Sequence, residues 1–184
     1  MKRLYEYFED SPIISAVKDK CFEEALNSPS NVIFLLGTSI FKIEERIRKA
    51  HNANKLLFLH IDLAEGIGKD KIGIEYLSNL GIDGIISTRT NLIKSARDYG
   101  LYTVQRFFVL DSQGVNSIGD MLASSSPDVI EIMPGVIGKI IEKFSKSDIP
   151  VIAGGLIETK QEVTNALKLG AIAVSTGKKE LWYM

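Results

Sequence analysis

Short apolar runs ending in small or polar residues alternate along this chain with stretches in which apolar residues recur every three or four positions. Val32-Ile33-Phe34-Leu35-Leu36 is apolar throughout and stops at Gly37, the pattern of a strand covered on both faces. Comparable runs occupy Pro12 to Val17, Lys55 to Asp62, Gly84 to Arg89, Tyr102 to Leu110, Val129 to Met133, Ile149 to Ile157 and Ala171 to Gly177. Between them, Phe41 to Ala53 places Ile43, Ile47 and Ala50 on one face with charges elsewhere, which predicts an amphipathic helix. Lys71 to Leu80, Leu92 to Tyr99, Val115 to Ala123, Gly138 to Phe144 and Glu158 to Gly170 also read as helices, and Phe22 to Leu26 as one or two turns. Gly81, Gly100 and Gly170 are stop signals, and Thr159 with Glu162 has the spacing of a capping box.

Eight strands alternating with helices predict an α/β fold with a parallel sheet. Closure into a compact TIM-like (β/α) barrel is the expected architecture, as a single domain over residues 1–184. An open doubly wound sheet is the competing architecture, but no Gly-x-Gly-x-x-Gly follows the first strand. Such barrels typically need ~250 residues. The helices after strands one and eight are therefore expected to be short or missing; Lys178 to Met184 leaves room for barely two turns.

In barrels of this kind the loops after strands seven and eight frequently hold a phosphate. Gly154 and Gly155 end the seventh strand, and without a Cβ they would let a ligand approach their amides. Ser175, Thr176 and Gly177 end the eighth and would add hydroxyl and amide donors. The plain alternative is a tight turn at the glycine pair. Polar residues also interrupt other strands. Because strand residues alternate faces, His60 and Asp62 are expected to point together into the barrel mouth, and Glu131, between Ile130 and Ile132, to point inward. Gln105, on the face of Thr103 and Phe107, is placed inward as well; Arg106 would then face outward unless a bulge shifts the register. A buried carboxylate requires a partner, and Arg89 and Arg106 are the candidates for Asp62 and Glu131. With Lys18 at the end of strand one, these residues make either a polar cup for a hydroxylated ligand or an ion-pair network that is purely structural.

Catalysis finds less support. Lys18 could act as a Schiff-base nucleophile, His60 with Asp62 as a base and its orienter, and Asp62, Glu65 and Glu131 as oxygen ligands for Mg²⁺. No His/Cys cluster has zinc spacing, and no catalytic residue, metal or cofactor is expected.

Composition narrows the partners. The chain is 45% hydrophobic and 24% charged with a formal net charge of −1, so nothing overall attracts nucleic acid or an anionic membrane. Cys21 is the single cysteine, which excludes an internal disulfide and suits a reducing cytosol. Residues 1–10 lack a signal-type apolar core, and no run approaches membrane-spanning length. A cytoplasmic protein without a membrane partner is expected. The best basic patch is Lys42, Arg46, Arg48, Lys49 and Lys55, diluted by Glu44 and Glu45, and no RRM, KH or zinc-knuckle signature is present.

Several stretches together, in this order and spacing, are fairly specific: His60-Ile61-Asp62-Leu63 with Gly66, Ile86-Ser87-Thr88-Arg89, Val104 to Asp111, Glu131-Ile132-Met133-Pro134-Gly135-Val136-Ile137, and Ile152-Ala153-Gly154-Gly155. Across essentially its whole length the chain resembles the glycerol-3-phosphate-responsive antiterminator family of glycerol uptake operons. The resemblance implies a TIM-barrel-like cytoplasmic regulator that binds glycerol 3-phosphate and acts on leader mRNA to prevent premature transcription termination of glycerol-utilisation genes. With such a ligand the phosphate is expected at Gly154, Gly155, Ser175 and Thr176, and the geometry read above would then turn the glycerol hydroxyls to some of Asp62, Arg89, Arg106 and Glu131. RNA would then contact the outside of the barrel or a surface generated by homo-oligomerisation. The loops Gly66–Lys71 and Asp111–Asn116 are the candidate moving parts. The alternative is an enzyme, a phosphosugar or phosphotriose lyase, isomerase or aldolase at the same mouth, since one barrel hosts many chemistries.

Overall fold

The computed structural model describes residues 4–9 and 11–184. Eight parallel strands close into a barrel in chain order, the first hydrogen-bonded to both the second and the eighth. They are β1 (Ile13–Val17), β2 (Val32–Leu35), β3 (Leu56–His60), β4 (Gly84–Ser87), β5 (Tyr102–Phe108), β6 (Val129–Met133), β7 (Val151–Gly154) and β8 (Ala173–Thr176). A short helix α1 (Glu6–Glu9) precedes the barrel, and the connections carry α2 (Phe22–Leu26), α3 (Ile43–Asn52), α4 (Lys71–Asn79), α5 (Thr90–Asp98), α6 (Ser112–Ser125), α7 (Gly138–Phe144) and α8 (Lys160–Lys168). The connection after β1 is a 3₁₀ turn and the five residues of α2, and after β8 only a 3₁₀ segment at Lys179–Tyr183 remains. Trp182 closes that end, buried, with its indole N–H donating to the Thr176 carbonyl at 2.8 Å.

The alternation of side chains divides the core in two. One set fills the barrel interior, including Ile14, Phe34, Phe58, Ile86, Val104 and Ile152, with the Phe34 and Phe58 rings 5.5 Å apart. Leu4 and Phe8 join this set, so the segment around α1 packs into the interior core. Residues 4–9 thus form an amphipathic plug, a role their composition alone does not disclose. The larger set, Ile33, Leu57, Ile85, Ile130 and Val174 among it, packs between the strands and the helices.

Local signals explain the helix ends. Thr159 accepts from the Glu162 amide at 3.2 Å while the Glu162 carboxylate accepts from the Thr159 amide at 2.9 Å, a complete capping box on α8. Asp70 and Asp111 cap α4 and α6 by accepting from Gly73 and Gly114 amides. The Asp111 cap starts α6 at Ser112, three residues earlier than Val115, so the stretch from Asp111 to Asn116 is a helix start and not a free loop.

The register corrects one sequence expectation. Arg106 pairs with Glu131 and Gln105 with Ile130 across the β5–β6 ladder. Paired residues in a parallel ladder share a face, so Arg106 goes inward with Glu131 and Gln105 goes outward. Gln105 lies in the helix layer, bonded to the Ser125 hydroxyl of α6 and, at 3.3 Å, to Thr90 of α5. No bulge is involved. Both faces of β5 carry polar residues, so its alternation gives no direction by itself.

Candidate functional site

The carboxyl ends of the strands form the mouth, where five side chains from different elements make one connected polar chain. Arg106 lies at its centre. Its Nε donates to Glu131 Oε2 at 2.6 Å, and another guanidinium nitrogen donates to His60 Nδ1 at 3.2 Å. A guanidinium can only donate, so His60 Nδ1 accepts and the ring proton sits on Nε2. That Nε2 faces Asp62 Oδ2 at 3.4 Å without a well-formed hydrogen bond, so the attraction is mainly electrostatic. At the other end the Ser175 hydroxyl donates to Glu131 Oε1 at 2.5 Å. Glu131 is wholly buried and Arg106 nearly so. A carboxylate in that position requires these donors, because desolvation would otherwise cost several kcal/mol, on the order of the penalty for any buried ion.

Asp62 is not a strand residue. β3 stops at His60, and Ile61–Leu63 forms a 3₁₀ turn that carries Asp62 to the end of β4. There it accepts from the Thr88 amide at 2.8 Å and the Ser87 hydroxyl at 3.0 Å, with Arg89 Nε at 3.3 Å. Burial opposes its ionisation, but the His60 ring, the Thr88 amide and the Ser87 hydroxyl outweigh burial and bring its pKa from 3.8 down to about 2. The pairs Arg89–Asp62 and Arg106–Glu131 are those the residue types called for. Asp62 reaches the rim through a turn, however, and not by strand alternation.

Beside this chain lies a cavity of roughly 340 Å³. Arg106, Glu131 and Ser175 form its floor, and Gly155 to Glu158 face Thr176 to Lys178 across it. It occupies the cleft between the loops after β7 and β8. Gly155 has φ +73°, and Leu156 beside it also has a positive φ, 58°, a conformation that is strained for leucine. Gly154 serves a different purpose from close ligand approach. A Cβ there would lie 2.7 Å from Ser175 Oγ and would strike the Glu131 carboxylate, so this glycine makes room for the buried pair. A Cβ on Gly155 would sit 2.7 Å from the Met133 methyl.

The hydroxyls are committed as well. Ser175 donates to Glu131, and Thr176 donates to the Ile157 carbonyl at 2.8 Å while accepting from the Lys178 amide at 3.0 Å. The donors of the α8 N-terminus are partly occupied by its own capping box, in which Glu162 also receives the Glu158 amide at 2.9 Å. Charge for an anion comes instead from Lys178 and Arg106, with Glu131 and Glu158 opposing. Sequence reasoning omitted Lys178 from the site, although its place directly after the end of β8 was the available signal.

Other expected members fall elsewhere. Lys18 is exposed and lines a second opening with Thr38 and Lys42. Gln105 is outside the cup, as the register requires. Among the described residues no three His, Cys, Asp or Glu side chains converge as a metal-holding group, so Asp62, Glu65 and Glu131 are not gathered. The mouth-facing strand positions include Ala16, His60, Arg106, Glu131 and Ser175, and none of these is a lysine. Much of the basic patch is tied up. Arg46 pairs with Asp19 at 3.0 Å and Lys49 with Glu23 at 2.7 Å, while Lys55 is buried and donates to the Ser28 and Ser30 carbonyls. No helix among the described residues is long and apolar enough to cross a membrane.

The fold and mouth define a closed (β/α)₈ barrel with a cavity between its last two strand loops that carries a buried charged pair, an architecture shared by catalytic and non-catalytic proteins. Residues 13–182 match the family described as glycerol-3-phosphate responsive antiterminator, and the chain belongs to that family. Membership places it in a regulatory family. It is 36% identical to the Escherichia coli (strain K12) protein YgcP, over 97% of this chain and 95% of the relative. The crystal structure of a glycerol uptake operon antiterminator regulatory protein from Listeria monocytogenes superposes with a TM-score of 0.89 at 36% identity, covering 94% of this chain and 95% of that one. A glycerol uptake operon antiterminator-related protein from Thermotoga maritima gives 0.84 at 31%, covering 94% and 98%. An aldolase, QR15, shares the fold alone, with a TM-score of 0.72 at 10% identity.

Proposed function

We propose that this protein is a metabolite-responsive regulator that binds glycerol 3-phosphate in the mouth cavity and promotes transcription antitermination by binding leader RNA. The observation that carries this reading is the family match over residues 13–182. The cavity of roughly 340 Å³ supplies a place for the ligand, at the lower end of ordinary ligand pockets. The phosphate lies between the Gly155–Glu158 and Thr176–Lys178 backbones, against Lys178. The glycerol hydroxyls turn to Arg106 and Glu131, which offer a donor and an acceptor side by side. Regulation then requires the ligand to favour one of two states of the mouth, because a ligand shifts an equilibrium only by its differential affinity. An aldolase-type reading lacks a desolvated lysine at the mouth, since Lys178 is half exposed and Lys18 is exposed, while the buried Lys55 directly precedes β3 at the strand end away from the mouth.

Ligand-induced thermal shift tests the metabolite half. At 100 times its Kd a ligand stabilises by about 2.7 kcal/mol, and a chain of this size gains roughly 2–4 °C in Tm per kcal/mol. Glycerol 3-phosphate should raise Tm by several degrees without being consumed, while glycerol and inorganic phosphate at equal concentration should not. Gly155→Asp should remove the effect by placing a carboxylate in the cleft. An equal response from that variant would move the phosphate elsewhere, and turnover of the ligand would replace the regulator with an enzyme.

A further inference from the structure

A second opening of roughly 550 Å³ lies beside the first, with Leu36 in the walls of both. Lys18, Lys20 and Lys42 surround it, together with the hydroxyl residues Thr38 and Ser39. Its two carboxylates differ in character. Asp19 is already engaged by Thr38 Oγ1 at 3.1 Å, Arg46 Nε at 3.0 Å and Lys42 Nζ at 3.5 Å, whereas Glu65 is exposed at the edge. Among the described residues neither Lys18 nor Lys20 forms an ion pair. Phe41, which directly precedes the lining residue Lys42 in the chain, is 94% exposed, and Leu63 in the cavity wall is 53% exposed. An aromatic ring 94% exposed on the segment between two recess-lining residues, Ser39 and Lys42, together with two unpaired lysines and the hydroxyls in that recess, is chemistry that suits a nucleotide.

We propose that this recess is the single-stranded RNA contact, with backbone phosphates on Lys18, Lys20 and Lys42 and a base stacked on Phe41. Stacking on an exposed aromatic combined with lysine neutralisation of phosphate is the general mode of single-strand binding, and it needs no overall positive charge. The inference rests on the antitermination reading above. It assigns RNA to the barrel mouth and not to the outer helix face, where Arg46 and Lys49 of α3 are paired with Asp19, Glu23 and Glu45 and Arg48 is left, among the described residues, as a single cation. It also makes the RNA and metabolite sites contiguous through Leu36, so that a ligand in one cavity bears on a wall of the other.

Fluorescence anisotropy of a labelled single-stranded RNA pool of randomised sequence, read at several salt concentrations, tests the assignment. Phe41→Ala should weaken binding about tenfold or more with little change in salt dependence. Lys18→Gln with Lys20→Gln should flatten the slope of log K against log salt by roughly 0.7 for each phosphate no longer neutralised. Arg48→Gln on α3 should change neither, and none of these variants should alter stabilisation by glycerol 3-phosphate. RNA affinity unchanged in the Phe41 and lysine variants would overturn the location while leaving RNA binding intact. Wild-type protein that does not bind the pool would overturn both the location and the RNA half of the function, leaving the thermal-shift result standing. Loss of metabolite stabilisation in the lysine variants would hand the recess to the metabolite instead. Oligoglutamate bound as tightly as RNA, and insensitive to Phe41→Ala, would make it a protein-docking site.

Discussion

Arg106→Leu removes the centre of the polar chain at the mouth. It deletes the 2.6 Å bond to Glu131 and the 3.2 Å bond to His60, leaving the wholly buried Glu131 carboxylate with the Ser175 hydroxyl. Breaking a buried pair from one side costs about 3–5 kcal/mol, because a charge is left unpaired in the interior. At roughly 2–4 °C per kcal/mol this lowers Tm by about 6–20 °C. Glu131→Leu should cost a similar amount, since it leaves the Arg106 guanidinium inside the barrel. The double variant should be far milder, within about 2 kcal/mol of wild type. Both charges are then gone, and only the His60 and Ser175 bonds are removed, at about 1 kcal/mol each. Thermal or urea unfolding of the four proteins closes a double-mutant cycle, with an expected coupling of at least ~2 kcal/mol. Additive single effects, with the double variant as unstable as their sum, would refute the idea that the two side chains act as one buried pair.

Two further outcomes concern neighbouring links. The Asp62 pKa is lowered to about 2, so its stabilising contribution is present above the unfolded pKa near 3.8 and is lost as pH falls through about 2; the Tm advantage of wild type over Asp62→Asn should shrink across that interval in an acid titration, and a constant gap would disprove the pairing. Thr159→Ala removes one half of the α8 capping box and should cost about 1 kcal/mol in chemical denaturation, whereas a change below a few tenths would mean the box is redundant.

Much of the architecture was legible because its signals are local. Val129–Met133, Gly138–Phe144 and Phe22–Leu26 were bounded to the residue by an apolar run or stripe next to a stop signal, and Thr159 with Glu162 announced the start of α8. The face of Glu131 was legible for the same reason, since two isoleucines flank it. The second polar residue of β5 was not, because the pattern there is Thr103-Val104-Gln105-Arg106-Phe107 and either phase satisfies it. Lys55 was misjudged as surface charge because nothing nearby in sequence shows that the Ser28 and Ser30 carbonyls wait at its ammonium; burial also lowers its pKa from the ordinary value.

What the chain determined alone, then, is the order of strands and helices, the closed barrel that this order favours, and the residue types available at the mouth. These follow from periodicity, which each segment carries within itself. The tertiary structure decided which of those residues meet. Strand register turned Arg106 in and Gln105 out, a 3₁₀ turn delivered Asp62 to the end of β4, and barrel closure set Ser175 of β8 against Glu131 of β6. Closure likewise put Lys18, Thr38 and Lys42 around one recess. Contacts between residues dozens of positions apart depend on ladder register and loop path, and no local pattern encodes either.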